Sequence, residues 1–388
     1  MAANLYVHFP FCRSRCSYCS LYSRTGSSPA ARAEYVESLR VELESLKVRV
    51  ESPRSDLNRP YSTLSDPIRP YSTLTDPNRP YSTLNDPNPT LKTLYFGGGS
   101  PALCDLTPLK DALAPLLDEN TEFTVELHPL DVTPAKLDEL MSIGVNRISM
   151  GVQSLDDATL RAMGRGYTAD DAARAFDLVK SRFDNAGIDL ILGYPGDPTT
   201  KNAEALLAPL ATWGLRHCSV YSLQNERGLK NVPDDDIVLD GIKSAARFLK
   251  SIGLERYEIS NYAAPGFECR HNLAVWRGED YIGLGEGACG RVGLSRTRNW
   301  WGQTPQNPNK HCGSATSVET VSEKEDIKER TLFRLRTRDG IDSSRFPEWR
   351  PALDRFVADG LLAKIGESVY RLTERGTEVC DAILEELV

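Results

Sequence analysis

Three cysteines stand at Cys12, Cys16 and Cys19 in the run FCRSRCSYC, spaced C-x3-C-x2-C. Thiolates are soft donors suited to iron–sulfur clusters and to zinc. A [4Fe–4S] cluster is usually held by four cysteines. Three on one loop can hold three irons and leave the last one open to a small molecule through nitrogen and oxygen. Zinc would ask for a fourth ligand, and His8, four residues before Cys12, could supply one.

The elements that must position such a loop follow in order. A strand candidate, Leu5 to Phe9, runs straight into the cysteines. Val36, Leu39, Leu43, Leu46 and Val50 then repeat at helical spacing until Pro53, an apolar stripe that predicts a helix. Short apolar or β-branched runs recur at Thr93–Phe96, Phe123–Leu127, Arg147–Val152, Ile188–Leu192, Cys218–Leu223 and Tyr257–Ile259. Helical patterns lie between them at Leu106–Leu117, Pro134–Ser142 and Asp170–Phe183. Alternating strands and helices predict an α/β fold with a parallel sheet. Periodicity alone leaves an open barrel and a doubly wound sheet equally available.

Residues at the strand ends add to the cysteines. GGGSP at Gly97–Pro101 follows TLYF and offers close backbone approach and amide donors. Glu126 closes FTVEL, Gln153 follows ISMGV and Asp189 begins DLILGYP. Strand C-termini of a parallel barrel converge on one face, where ligands bind.

The chain has 388 residues and a net charge of −8. That acidic balance speaks against a nucleic-acid binder. No run reaches the roughly 18 apolar residues of a membrane span, and no secretory leader is evident. Nine cysteines do not make a disulfide framework and suit a reduced, cytosolic setting. Residues 59–88 are three copies of a decapeptide beginning RPYSTL. Two prolines per copy defeat helix and central strand, so an inserted, disordered surface loop is expected, with a Tyr/Pro docking segment as the alternative. GSATSVE, residues 313–319, reads as a linker. Beyond it come a helix over Glu323–Arg336, another over Pro351–Gly360, a hairpin turning at Gly366–Glu367 and a last helix over Glu374–Val388, an order like a winged helix. The tail is not strongly basic, and DNA binding is not inferred from it.

Taken together, YVHFPFCRSRCSYC, YFGGGSP, VELHP, NRISMGVQS, MGRGY, DLILGYPGDP and YEISNYA followed by PGFECRHN resemble the radical S-adenosylmethionine proteins of the oxygen-independent coproporphyrinogen III oxidase family. The resemblance covers nearly the whole chain apart from the decapeptides. It implies a partial (β/α)6 barrel over residues 1–230, a family-type extension over 231–315 and a winged-helix-like region over 316–388. Within the family the chain is more similar to the heme-binding branch than to the dehydrogenases. Its first strand starts early, where the dehydrogenases carry an extension. Leu21 stands where they carry another cysteine, and HNLAVW at His271–Trp276 resembles an HNxxYW heme motif. Val275 replaces the motif's Tyr, and Cys289 replaces a His usual in GLGEGACG.

The resemblance implies that Cys12, Cys16 and Cys19 ligate a [4Fe–4S] cluster whose open iron chelates S-adenosylmethionine. It assigns Tyr6, Tyr18, Gly98, Gly99, Ser100, Glu126, Gln153, Arg165 and Asp189 to S-adenosylmethionine. His271, with Cys269, would meet heme. Cys104, Cys218, Cys312 and Cys380 read as packed or solvated thiols. The implied function is to bind heme and pass it to acceptors such as respiratory membrane proteins, with transient membrane association possible and the electron donor unspecified. Oxidative decarboxylation of coproporphyrinogen III and radical methyl transfer are the alternatives.

Overall fold

A computed structural model describes residues 4–51, 90–300 and 315–388. The decapeptides and Cys312 lie outside the described residues.

Six strands run parallel and side by side: β1 (Asn4–Phe9), β2 (Thr93–Gly98), β3 (Glu122–Leu127), β4 (Arg147–Gln153), β5 (Asn185–Leu192) and β6 (His217–Ser222). Helices Pro29–Glu51, Pro134–Ser142 and Ala169–Lys180 fall among the connections, so the open-barrel alternative is the one the chain adopts, a partial (β/α)6 barrel. The six expected strands from Leu5–Phe9 to Cys218–Leu223 are matched to within a few residues.

Strands of a parallel sheet covered on both faces usually read as unbroken apolar runs. These alternate instead. Leu5, Val7 and Phe9, Leu94 and Phe96, Phe123 and Val125, Ile148 and Met150, Ile188 and Leu190, and Cys218 and Val220 all join one buried core. They pack with Tyr35, Val36, Leu39 and Leu43 of the first helix and Phe176 of Ala169–Lys180. The intervening residues are Tyr6 and His8, Tyr95, Glu126, Ser149, Asp189 and Ser219, which bond or stack with one another. Period two therefore puts greasy side chains under the helices and polar ones into the lumen. Each fully buried leucine or phenylalanine on the outer side contributes about 1.5–3 kcal/mol.

The sheet continues beyond β1. Tyr281–Leu284 pairs parallel to β1, then Cys289–Val292, Ser295–Trp300 and Ala315–Thr320 follow antiparallel. Residues 315–319 of the stretch expected as a linker thus belong to the edge strand of this extension. Asn261–Ala263 pairs antiparallel with β6, and Glu255–Arg256 with it. The expected strand Tyr257–Ile259 is instead the turn between those two, with Glu258 bridging to Thr337. Leu106–Leu117, expected as one helix, is a single α-turn flanked by 3-10 turns, because Pro108 and Pro115 interrupt the hydrogen-bond ladder.

The C-terminal part follows the expected order. Helix Glu323–Arg334 opens with a capping box at Ser322. Helix Arg350–Ala358 and the hairpin Leu362–Ile365 with Val369–Leu372 come next. The last helix breaks at Val379 into Glu374–Glu378 and Cys380–Leu387. Leu335, Ile341, Trp349, Leu353, Tyr370 and Ile383 form its core. Asp326, buried, accepts from Arg296 at 2.7 Å and from Arg330 at 2.8 Å, which ties Glu323–Arg334 to the sheet extension. No helix of the described residues is long and apolar enough to cross a membrane.

Candidate functional site

The cysteine loop caps the C-terminal end of the barrel. Leaving β1, the chain is clamped by the glycine loop after β2: Gly99 N–H donates to the Phe9 carbonyl and Ser100 N–H to the Phe11 carbonyl, both at 2.7 Å. A side chain on Gly99 would collide with that Phe11 carbonyl. Gly98 has φ +105° and lies against the His8 ring, a conformation that favours glycine. Further along, Ser17 N–H donates to Met163 O at 3.2 Å and Ser17 Oγ bonds Tyr194 Oη at 2.9 Å. Arg227 Nε donates to Cys19 O at 2.7 Å. Arg165 Nη1 donates to Cys16 Sγ at 3.4 Å.

All three thiols are free and partly exposed. Burial pushes Cys12 and Cys19 up, reinforced by the neighbouring cysteines and opposed by Arg165 for Cys12 and by Arg227 and Arg15 for Cys19. Metal binding must therefore expel protons. Among the described residues no three His, Cys, Asp or Glu side chains converge as a single ion requires. A cubane asks for a wider set, one thiolate per iron, and a loop of three partly exposed sulfurs within each other's field fits that demand. His8 does not complete a zinc site. Its Nδ1 bonds Tyr6 Oη at 3.0 Å and its Nε2 bonds Tyr22 O at 2.9 Å, and burial lowers it to about 4.

Below the loop the lumen is lined by carboxylates. Glu126 accepts from Tyr95 Oη at 2.8 Å and from Gly98 N–H at 3.0 Å. Burial, with the charge of Asp189, pushes it up to about 7. Asp189 accepts from Ser149 Oγ at 3.0 Å and is raised by burial, against Ser219, Ser149 and Arg147. Both carboxyl groups face the cavity while walled by protein, so they are costly to ionise and ready to receive a cation. Arg165 is buried on the cysteine side. Its Nη2 donates to Gly151 O at 2.6 Å and its Nε to Tyr167 Oη at 2.8 Å. Burial opposes its charge, but Tyr18, Tyr167 and Cys16 more than compensate. Gln153 has φ 72° where β4 shifts register against β5, backbone strain of a kind that collects at functional sites. Tyr18 neighbours Arg165 and Cys16. Tyr6 stacks on Tyr95 at 6.0 Å between ring centroids. Ser100 is buried and donates to Asp131.

Sequence reasoning placed these residues together, and the structure does bring the nine around the cysteine loop and upper lumen. It missed Tyr95, Asp131, Tyr194, Arg227 and Glu286. Asp131 bonds both Ser100 and Arg13. Glu286 holds Tyr22 and Arg24 on the return from the cysteines. Only Tyr95 carried a signal: it alternates with apolar neighbours in β2.

His271 and Cys269 lie elsewhere. Helix Arg270–Trp276 plugs the opposite, N-terminal mouth of the barrel. Glu122, the first residue of β3, accepts from Arg270 N–H and His271 N–H at 3.0 Å each and from Cys269 Sγ at 3.7 Å. His271 Nδ1 bonds Thr93 Oγ1 at 2.8 Å, and its ring lies tilted against that of Tyr95 at 5.1 Å between centroids. Burial lowers His271 to about 3 and pushes Cys269 up to about 12. In this conformation neither is open to a macrocycle, and ligation by His271 needs the plug to move. Cys289 is exposed at the start of its strand. Cys104, Cys218 and Cys380 are buried, as packed thiols should be.

Residues 71–204 match the radical SAM superfamily, a span that takes in Gly98 to Asp189 and begins after the cysteines. The whole chain is similar to proteins named heme chaperone HemW. It is 28% identical to that of Bacillus subtilis (strain 168), covering 99% of this chain and 100% of the relative. It is 26% identical to that of Escherichia coli (strain K12), covering 98% and 97%. Among solved structures it resembles coproporphyrinogen III oxidase (HemN) from Escherichia coli, described as a radical SAM enzyme, with TM-score 0.75, 19% identity and coverage of 99% of this chain and 89% of that one. At that identity the likeness is one of fold.

Proposed function

We propose that this chain, a member of the radical S-adenosylmethionine superfamily, is a heme chaperone that carries a [4Fe–4S] cluster, binds S-adenosylmethionine and hands heme to acceptor proteins in the cytoplasm or at a membrane surface. The observation that carries the reading is the end-to-end similarity to heme chaperones, joined to a three-thiol loop over a carboxylate-lined lumen.

Most of the assigned residues have a physical task. Cys12, Cys16 and Cys19 would hold three corners of the cluster. The bound cluster, when reduced, supplies an electron to the sulfonium. The chain's own groups bind and orient. Glu126 and Asp189 complement the positive charge of the ammonium and sulfonium, and Arg165 the carboxylate. Gly98 and Gly99 let backbone approach the methionine moiety, and Tyr18 offers a face to the adenine. His271 is the proposed heme contact, reached when helix Arg270–Trp276 lifts from Glu122. Residues 1–230, 231–315 and 316–388 are proposed as core, extension and C-terminal region, although 315 and 316 are neighbours within one strand.

The test is hemin titration of anaerobically reconstituted protein. A Soret band that saturates near one heme per chain, and that weakens in His271→Ala, is expected. Protoporphyrinogen formed from coproporphyrinogen III under reductant, with no saturable Soret band, would replace this reading with the dehydrogenase.

A further inference from the structure

The helix that closes the floor of the barrel is gripped from two sides. From within, the barrel holds its buried face through Glu122, Thr93 and Tyr95. From outside it is held by a turn of the C-terminal region. Arg338 and Asp339 are neighbours in the turn that follows helix Glu323–Arg334. Arg338 Nη2 donates to Glu268 Oε1 at 2.8 Å, just before the plug, and Asp339 Oδ2 accepts from Arg277 Nε at 2.7 Å, just after it. Two adjacent residues of one turn thus grip both ends of Arg270–Trp276. The Arg336 guanidinium lies over the Trp276 ring at 5.3 Å, and Phe333 meets the same ring edge-on at 6.1 Å between centroids.

The turn has a fixed seat. Arg338 N–H donates to Tyr257 O at 3.1 Å, and Thr337 pairs with Glu258 in a β-bridge. Tyr257 and Glu258 are both buried.

The gripped segment lies between two glycines in the left-handed region, Gly266 at φ +87° and Gly278 at φ +73°, points where a chain can pivot. A side chain on Gly266 would meet nothing within 4 Å, whereas one on Gly278 would strike the Arg330 side chain. Arg330 also donates to the Gly278 carbonyl. The first pivot is therefore open, and the second is held by the C-terminal region.

The outer grip differs in kind from the inner one. The Arg338 and Arg277 side chains are 55% and 39% exposed. Ion pairs in water are individually weak and are screened by salt. Such contacts bias an equilibrium without locking it, which is what a closure that has to open requires.

We infer that the turn Arg336–Asp339 is a clasp on the plug. Closed, it keeps helix Arg270–Trp276 seated over the mouth of the barrel. Released, it lets the helix swing on Gly266 and Gly278 and uncover His271 and Cys269. The clasp follows from these contacts alone, and its role in admitting heme rests on the proposed function.

The test is labelling of buried Cys269 by N-ethylmaleimide in the full-length, anaerobically reconstituted protein, read peptide by peptide, with exposed Cys289 as the control for reagent reactivity. Labelling of a buried thiol reports local opening. Arg338→Gln with Asp339→Asn removes both ion pairs and keeps side-chain size. In low salt its Cys269 is expected to label about 3–10-fold faster than that of wild type. Sodium chloride at about 0.5 M should speed wild type similarly and leave the double variant unchanged. Asp339→Arg alone should label faster, and adding Arg277→Asp should restore the wild-type rate, a rescue that mere loss of packing would not give. Equal labelling of wild type and double variant in low salt overturns the clasp. If the double variant does not fold, wild type decides, and labelling indifferent to salt overturns the clasp. Hemin is then mixed with both proteins under stopped flow, and faster association with the double variant is expected. Equal association with Cys269 uncovered overturns the role in admitting heme. No Soret band in wild type overturns the proposed function, and the labelling still decides the clasp.

Discussion

Tyr95 donates its hydroxyl to Glu126 at 2.8 Å while the face of its ring lies against His271 at 5.1 Å. One side chain thus touches both ends of the barrel, the carboxylate assigned to S-adenosylmethionine and the imidazole of the plug. Tyr95→Phe keeps the ring contact and removes the hydrogen bond. It should cost about 1–2 kcal/mol of stability, because a buried acceptor loses its donor. Affinity for S-adenosylmethionine should fall severalfold in equilibrium dialysis, while the plug stays closed to amide exchange.

The pH dependence of stability has two arms of opposite sign. Glu126 is raised to about 7 in the fold, so the stability it gains by holding a proton is complete below its unfolded value and disappears as pH rises through the folded one. The loss amounts to about 3 kcal/mol between pH 4.5 and 7. His8, His128 and His271 are lowered by burial to about 4, 3 and 3. Their contribution is present above their unfolded value and is lost as pH falls towards the folded one. Chemical denaturation of wild type against Glu126→Gln isolates the first arm. The difference between them should change between pH 5 and 7 and flatten above pH 8. A constant difference would mean Glu126 titrates as an ordinary carboxylate.

Much of this was legible before any coordinates. The short apolar and β-branched runs announced the strands of a parallel sheet, and the cysteines, GGGSP, Glu126 and Gln153 sat at strand ends, whereas Asp189, read as opening a strand, lies in the middle of β5. What escaped was of two kinds. Tyr281–Leu284, Cys289–Val292, Ser295–Trp300 and Ala315–Thr320 are rich in glycine, arginine and serine and owe their strand state to their neighbours, not to propensity. The floor escaped because it is assembled from first residues of strands far apart in the chain. Glu122 capping a helix that starts 148 residues later leaves no local trace.

That cap is itself testable. Glu122→Ala strips acceptors from two buried amides and should destabilise by about 1–3 kcal/mol. In wild type, a thiol reagent should modify exposed Cys289 quickly and leave buried Cys269 untouched. In Glu122→Ala, Cys269 should become reactive as helix Arg270–Trp276 loosens. If the plug is what hides His271, heme should also bind faster to this variant in stopped-flow mixing.

Gln153 pays for its place with a left-handed backbone. Gln153→Gly removes the strain and should leave stability unchanged or raise it by about 1 kcal/mol, while weakening S-adenosylmethionine binding through loss of the amide. A fall in both would show that the side chain is needed to hold the β4 end together.

The account rests on the sulfurs of Cys12, Cys16 and Cys19 leaving one iron open. The direct measurement is Mössbauer spectroscopy of anaerobically reconstituted, ⁵⁷Fe-labelled protein with and without S-adenosylmethionine. A cubane spectrum in which one iron alone changes its isomer shift on adding the ligand is the expected result. A mononuclear iron spectrum, or a cubane indifferent to S-adenosylmethionine, would contradict it.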